Sequence, residues 1–530
     1  MEARSCTLRA VFAIGTGLLL LQGLAPVQAA PVSSLSALGA ALRGELHILS
    51  GPNGTDPSNP GFDQLMPLWD QLYAGPAPYL PPSIPSLYVV AKAPEDVVSA
   101  LEYALLNGVK TSIIGNGHQQ AMVAWTQGGL VIDMTNLQDI VIDQVARTVA
   151  FQPGVTGGLL ANATMPFNLM YAGPHASGVG VSGFTLGGGL GWNGIAVDLI
   201  TGFDVVNTWT NASQGLSIVH VNATSYPDLF WALRGAGQMI GFVTRFYANL
   251  KPVTADNLPT TTAIFPLPLA PAGFKALQSL YSLLVPDYDA SIILAHTPQG
   301  PAGIFSQYAY NSNNRMITGL LQEGLSTAKN AGAPVVIPGN ITYAALVVAE
   351  DAAQDYPGVA SYTQTIVIKN MTSDVFNIAL GLLANATSNN SIVGVFPPTY
   401  SPLSQNDTAY GWRGYWQVWV WAFWTRTDGG AAVDGDAKHI AWARSGAQAL
   451  KDYSLGQYLN MAPYTSVNDT QTSFPADHWA RIVAAKRTYD PANLARELDY
   501  YRVNGGTSAK DGSSDGAVGA ANHGVGAATS

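Results

Sequence analysis

The chain has 530 residues, of which 48% are apolar and 11% charged, and a formal net charge of −10. Such a composition supplies ample material for a buried core and excludes an intrinsically disordered protein. With 24 Lys and Arg against 34 Asp and Glu and no basic cluster, it also excludes nucleic acid as a partner, because a phosphate backbone needs a concentrated cationic surface. Length alone suggests roughly two to four domain-sized units.

In chain order, residues 1–29 read as a secretory signal peptide. Arg4 and Arg9 precede the apolar stretch AVFAIGTGLLLLQGLA, and Val27-Gln28-Ala29-Ala30 has the small residues of a cleavage site. The apolar stretch falls short of the roughly 20 residues a spanning helix needs, so a secreted, soluble mature chain without membrane attachment is expected. Cys6 is the one cysteine and lies inside this peptide, so the mature chain should form no disulfide. Sequons at Asn53, Asn162, Asn211, Asn222, Asn340, Asn370, Asn385, Asn389, Asn406 and Asn468 fit a glycosylated extracellular protein and predict solvent-facing positions.

The N-terminal segment 30–75 is rich in Gly, Pro, Ser and Asn, with one helical stretch at SLSALGAALRGEL. After a prolyl segment, SLYVVA predicts a strand, PEDVVSALEYALLNG a helix opened by Pro94 and closed by Gly108, and KTSIIG a strand. Together they predict a β-α-β unit ending on the turn Gly115-Asn116-Gly117-His118-Gln119, where α/β units hold ligands. GLVIDM and TVAFQPG are read as a second strand pair leading into a helical GGLLANATM. Pro174 to Asn193, PHASGVGVSGFTLGGGLGWN, is the densest glycine run in the chain. It suits either a backbone cradle for a phosphate or an ordinary glycine loop. His118, taken alone, suits either a structural turn or a functional group.

The ordered set GNGH (115–118), GVGVSGFTLGGGLGW (178–192), DLFWALRGAGQMIGFVTRF (228–246), YLN (458–460) and KRTYDPANL (486–494) resembles the berberine-bridge-enzyme-like flavoproteins of the vanillyl-alcohol-oxidase superfamily. The resemblance implies an α+β fold: a two-subdomain FAD-binding domain of the p-cresol-methylhydroxylase type over 76–255, and a substrate domain over 256–455 with an antiparallel sheet flanked by helices. A C-terminal segment at 456–503 should return to the FAD domain, and the Gly-, Ala- and Ser-rich tail 504–530 is expected to be disordered.

By the same resemblance, His118 matches the histidine joined to the flavin 8α-methyl, in a loop where Asn116 replaces a glycine and Gln119 a serine. Gly115, Gly117, Gly180, Ser182, Gly183, Gly187, Gly188, Gly189, Gly241 and Val243 fall at cofactor-binding positions. Some relatives add a second link through a cysteine where this chain has Ala176, so FAD is expected on one covalent bond. Val179 sits where relatives control oxygen access, and valine there goes with oxidases. Arg234 and its neighbours match a loop near the adenine end, departing at Ala236, Gln238 and Met239. Tyr458 matches a tyrosine near flavin N5 and is the catalytic candidate, although a phenol titrating near 10 would need a nearby cation to serve as a base. His478-Trp479 replaces the pair usual near the substrate.

The strand Tyr415 to Trp424 alternates Trp416, Val418, Val420 and Ala422 against Tyr415, Gln417, Trp419, Trp421 and Phe423. One face suits a substrate pocket, and core packing suits the tryptophans equally. The implied activity is an oxidase acting on a small alcohol, sugar or amine with O2 and without a metal. Flavin dehydrogenase, oxidative cyclase and non-catalytic secreted flavoprotein remain alternatives.

Overall fold

The computed structural model describes residues 31–48, 85–119, 124, 126, 128–349, 351, 359–425, 436–462 and 470–495. The expected signal peptide, most of segment 30–75, the sequons at Asn53 and Asn468 and the tail lie outside them.

Burial on both faces marks the two inner strands of the first sheet, and the edge strand nearest the N-terminus is more open. β1 (Glu45–Ile48), β2 (Leu87–Val90), β3 (Thr111–Ile114) and β4 (Leu130–Asp133) run in the order β1-β2-β4-β3, with β2, β4 and β3 parallel. The helix Pro94–Asn107 crosses from β2 to β3. Its start is fixed by Asp96, whose carboxylate accepts from the backbone N–H of Ala93, Lys92 and Arg43 at 3.1, 2.7 and 2.7 Å. Its end is fixed by Gly108 at φ 62°. Val97, Ala100, Leu101 and Ala104 form its buried stripe.

Two sequence expectations change here. The helical stretch at 34–46 stops at Ala41, and Glu45 already belongs to β1, because a Cβ on Gly44 would lie 1.9 Å from the Val90 carbonyl oxygen and only glycine admits this pairing. The expected pair GLVIDM and TVAFQPG is divided between two sheets. β4 is buried at all four positions and enters the first sheet between β2 and β3. TVAF alternates in burial, and becomes an antiparallel strand of the second sheet.

That second sheet joins β5 (Ile140–Asp143), β6 (Thr148–Phe151), β10 (Ile200–Val206), β11 (Ile218–Asn222) and β12 (Phe242–Asn249) in the order β11-β10-β12-β6-β5. Its core packs under the helices Pro227–Ala236 and Ala476–Tyr489, through Leu229, Leu233, Ile482 and Ala485. Two small ribbons flank it: β7 (Leu169–Met170) with β13 (Lys251–Pro252), and β8 (Leu190–Gly191) with β9 (Gly194–Ile195).

The third sheet is antiparallel and eight-stranded. It contains β14 (Leu258–Pro266), β15 (Tyr288–Thr297), β16 (Gly300–Ala309), β17 (Val335–Ile341), β18 (Val359–Ile368), β19 (Ile392–Phe396), β20 (Trp416–Thr425) and β21 (Ser454–Gly456), in the order β17-β14-β16-β15-β19-β20-β18-β21. The helices Ala270–Tyr281, Ser373–Ala384 and Asp436–Ala449 cover one face, with Phe274, Phe376 and Trp442 packed on Phe305, Val393 and Val418. The other face looks toward the two smaller sheets. The α+β class, with two smaller sheets and a large antiparallel sheet flanked by helices, is thus the architecture of the chain.

A buried ion pair ties the units together. Arg413, ahead of β20, meets Asp198 beside the glycine run, and their side chains are 3% and 4% exposed. Arg413 also donates to Thr408 Oγ1 at 2.7 Å, and Ser401 Oγ donates to the second Asp198 oxygen at 2.5 Å. Of the sequons within the described residues, Asn222 is half-buried and the other seven are exposed. Removing one member of a buried pair strands the other, so Arg413→Met should lower stability by about 3–5 kcal/mol in denaturant unfolding. Glu95→Gln, which breaks the exposed pair with Arg43, should cost less than about 1 kcal/mol.

Candidate functional site

The turn after β3 and the glycine run meet edge to edge. Asn116 Nδ2 donates to the Gly154 carbonyl at 3.2 Å, and Ser182 Oγ donates to the Pro153 carbonyl at 2.7 Å. Closeness is enforced by missing side chains: a Cβ on Gly180 would lie 2.6 Å from Asn116 Oδ1, and one on Gly115 would lie 2.7 Å from Ser182 Oγ. Gly178 lies against His118, with its Cβ position 3.2 Å from Nε2. Ser177 is held from the substrate domain by Asp351, whose two carboxylate oxygens accept from its N–H at 2.7 Å and its hydroxyl at 2.5 Å.

These segments wall a cavity of about 390 Å³. Its lining takes in Gly115, Asn116, Gly117, His118 and Gln119 from the turn, and Ala176, Val179, Gly180, Ser182 and Gly183 from the run. The third sheet contributes Trp419, Trp421 and Phe423, and the C-terminal segment contributes Tyr458 and Asn460. A second cavity of about 120 Å³ adjoins it, lined by Trp192, Asp289, Ser291, Tyr308, Trp412 and Gln417 among others. Leu190, Ile293, Phe396, Trp419 and His175 line both.

The two readings of the aromatic strand are both realised, one on each face of β20. Trp416, Val418, Val420 and Ala422 belong to the core beneath the helices, whereas Gln417, Trp419, Trp421 and Phe423 face the cavities.

Tyr458 is buried. Its hydroxyl oxygen accepts from the Leu190 N–H at 3.0 Å and from Asn460 Nδ2 at 2.8 Å, and its ring stacks on Trp419 at 5.8 Å. Burial pushes its pKa up to about 12. Among the described residues no cation contacts it. Among these residues the help a phenolate base would need is missing, and Tyr458 stays protonated at neutral pH. Asn460 Oδ1 in turn accepts from Gln238 Nε2 at 2.7 Å, which also donates to the Gly183 carbonyl at 2.9 Å.

Burial lowers the pKa of His118 to about 4 against an opposing pull from Asp351, and burial lowers that of His175 to about 4 as well. Asp289 moves the other way, to about 6, because burial outweighs the hydrogen bonds it accepts from the Asn193 N–H at 2.6 Å and the Tyr310 hydroxyl at 2.9 Å.

The remaining expected residues stand back from the cavity. The absent Cβ atoms of Gly187, Gly188 and Gly189 make room for protein: Asn460 Oδ1 at 1.8 Å, the Tyr410 ring at 2.5 Å and Ala196 at 2.4 Å. Gly241 packs on Leu233 and Val205, and Val243 pairs with Val205 in the second sheet. Arg234 lies over Phe230 and donates to the Asp407 carbonyl. His478 is buried against the Ala409 carbonyl and Asn406, away from both cavities. Sequence reading missed His175, Asp289 and the bridging role of Gln238. For His175 a signal existed, since it is the one titratable side chain between Pro174 and Asn193. Asp289 sits in an ordinary strand pattern and gave none.

FAD suits this cavity on the residues present. Asn116 Oδ1 and Gln119 Oε1 are buried there without protein partners. A Cβ on Gly183 would meet no atom within 4 Å, so that glycine leaves open space on the wall. The N–H groups of Ser182 and Gly183 lie in the first turn of the helix Val181–Leu186 and have no acceptor within it. No Lys or Arg is among the described lining residues, so backbone and amide groups would carry the recognition of a pyrophosphate.

Comparison with known proteins agrees with this geometry. Residues 85–210 match the FAD binding domain family. The (R)-6-hydroxynicotine oxidase of Paenarthrobacter nicotinovorans is 30% identical over 199 residues, covering 37% of this chain and 40% of that protein. The xylooligosaccharide oxidase of Thermothelomyces thermophilus is 34% identical over 199 residues, 35% of this chain and 38% of that one. The aligned stretches thus span well under half of these relatives. In three dimensions the similarity extends further: berberine bridge enzyme from Eschscholzia californica superposes with a TM-score of 0.71 at 18% identity, over 88% of this chain and 98% of that one. The chain carries an FAD binding domain, and its fold as a whole is that of the berberine-bridge-enzyme-like proteins.

Gly183→Leu should fill the open space on the wall while gaining helix propensity. Absorbance should show a protein without flavin, and unfolding a stability within about 1 kcal/mol of the flavin-free parent. Asp289 holds its proton more tightly folded than unfolded, so its contribution to stability is complete below about 3.8 and lost as pH rises through about 6. Asp289→Asn keeps an acceptor oxygen without the charge and should raise stability at pH 7 by about 1 kcal/mol, with the difference vanishing at low pH. Paired unfolding curves across that window check it.

Proposed function

We propose that the protein is a secreted, N-glycosylated FAD-dependent oxidase that takes a hydride from a C–H bearing a hydroxyl or amine and passes the electrons to O2, giving hydrogen peroxide. The observation that carries the reading is the meeting of the 115–119 turn, the glycine run and the Tyr458 segment on one cavity that opens into a second, aromatic one. The flavin supplies the two-electron chemistry when bound.

Each part of the wall has a role in this reading. His118 is the single covalent tether, and Ala176, on the same wall, lacks the thiol for a second. Val179, also on the wall, leaves oxygen a path to the reduced ring. Tyr458 donates a hydrogen bond into the reaction space, while Trp419, Trp421 and Phe423 exclude water and fix the substrate plane. The smaller cavity receives the remainder of the substrate between Trp192 and Trp412, with polar contacts from Asp289 and Gln417. Its mixed lining suits a small alcohol, sugar or amine.

Acid precipitation of the purified protein tests the cofactor claim: flavin should remain in the pellet for the parent and move to the supernatant for His118→Ala. Air exposure after dithionite reduction tests the oxidase claim, with rapid return of the oxidised spectrum and peroxide expected. A reduced flavin that persists in air would instead indicate a dehydrogenase, and a protein without flavin a non-catalytic one.

A further inference from the structure

We propose that His175 is the catalytic base, accepting the proton of the substrate hydroxyl or amine at the joint between the two cavities; this rests on the flavin oxidoreductase reading above. Five side chains line both cavities, namely His175, Leu190, Ile293, Phe396 and Trp419, and His175 is the one among them that can titrate. A substrate seated in the smaller cavity and reacting in the larger must present its reacting carbon at this joint. The proton acceptor therefore has to be there too.

The other titratable groups facing these spaces are placed for different work. His118 and Tyr458 line the larger cavity alone, the first being the proposed tether and the second a phenol held protonated. Asp289, Tyr308 and Tyr415 line the smaller cavity alone. One oxygen of Asp289 is already committed to Asn193 and Tyr310. Asp351 is occupied by Ser177, two residues along the run.

The His175 ring lies on Trp192 with centroids 4.1 Å apart and planes tilted by 32°. Burial keeps the imidazole neutral at physiological pH and so able to accept. Once protonated, it has the Trp192 face against it to take up the charge. The step balances as follows: the C–H bonding pair leaves with its hydrogen to the flavin, which is the two-electron acceptor. The O–H or N–H proton goes to the imidazole, and a C=O or C=N bond forms.

The test uses flavin-loaded parent, His175→Gln and His175→Ala proteins, mixed anaerobically with xylobiose, glucose, benzyl alcohol and 6-hydroxynicotine while flavin bleaching is followed against pH. For the compound that reduces the parent fastest, both variants should lose about 100-fold or more in reduction rate. The acid limb of the profile should disappear, KM and flavin content should stay near parental values, and imidazole should partly rescue His175→Ala. Without substrate, tryptophan fluorescence should show a quenching step near pH 4 in the parent and none in His175→Gln, as protonation places a cation on Trp192.

A His175→Gln rate within about threefold of the parent, an unchanged acid limb, or a flavin that no compound reduces would overturn the assignment. Protein purified without flavin would instead sink the reading beneath it.

Discussion

The site depends on one short chain of hydrogen bonds that runs through Asn460. Its amide nitrogen donates to the Phe184 carbonyl at 2.7 Å and to the Tyr458 hydroxyl, and its oxygen accepts from Gln238. Three stretches far apart in sequence, the glycine run, the loop after the helix Pro227–Ala236 and the C-terminal return, are thereby locked at one point. Gly187 has to be glycine because Asn460 occupies the space of its side chain. Asn460 and Gln238 pair with each other, and among the described residues no charged side chain lines this cavity.

That absence of charge organises the electrostatics. A cavity built from glycine backbone, amides and aromatic rings offers little solvation to an ion, so its imidazoles are held neutral and its phenol protonated. The buried charges that do exist stand behind the walls, as in Asp198 with Arg413, where the pair fixes the loop carrying Trp412 toward β20. Asp289 is the exception, a carboxyl at the edge of the smaller cavity with Lys251 and Asp287 behind it. Its position makes the smaller cavity the more polar of the two.

What the sequence made legible was local. The helix Pro94–Asn107 has its first proline, its acidic first turn and its closing glycine written in order, and the structure follows them. Alternation along Tyr415–Phe423 divided these residues between the two faces that the structure shows, because side chains along a strand alternate with period two. Pairing between distant segments was not legible. Nothing local says that Leu130–Asp133 enters between β2 and β3 while Thr148–Phe151 leaves for another sheet. The same limit governs the site. Glycines can be seen in a sequence, but whether each admits a ligand, as Gly183 can, or a neighbouring side chain, as Gly187 does, depends on what the fold brings opposite. Gln238 looked like a departure from the family pattern and proves to be a bridge between Gly183 and Asn460.

The two-sided strand β20 also bears on how such a protein diversifies. Its core positions are held by the helices above, with Gly446 so close to Val420 that a Cβ there would come within 2.6 Å. Its cavity positions, Gln417, Trp419, Trp421 and Phe423, are clear of those helices and pack instead on one another and on Phe396 and Tyr458. Exchange of every second residue would therefore reshape the chamber and disturb this second cluster, while leaving the helix-packed face untouched. One ten-residue strand thus carries the helix-packed core on one face and the chamber wall on the other.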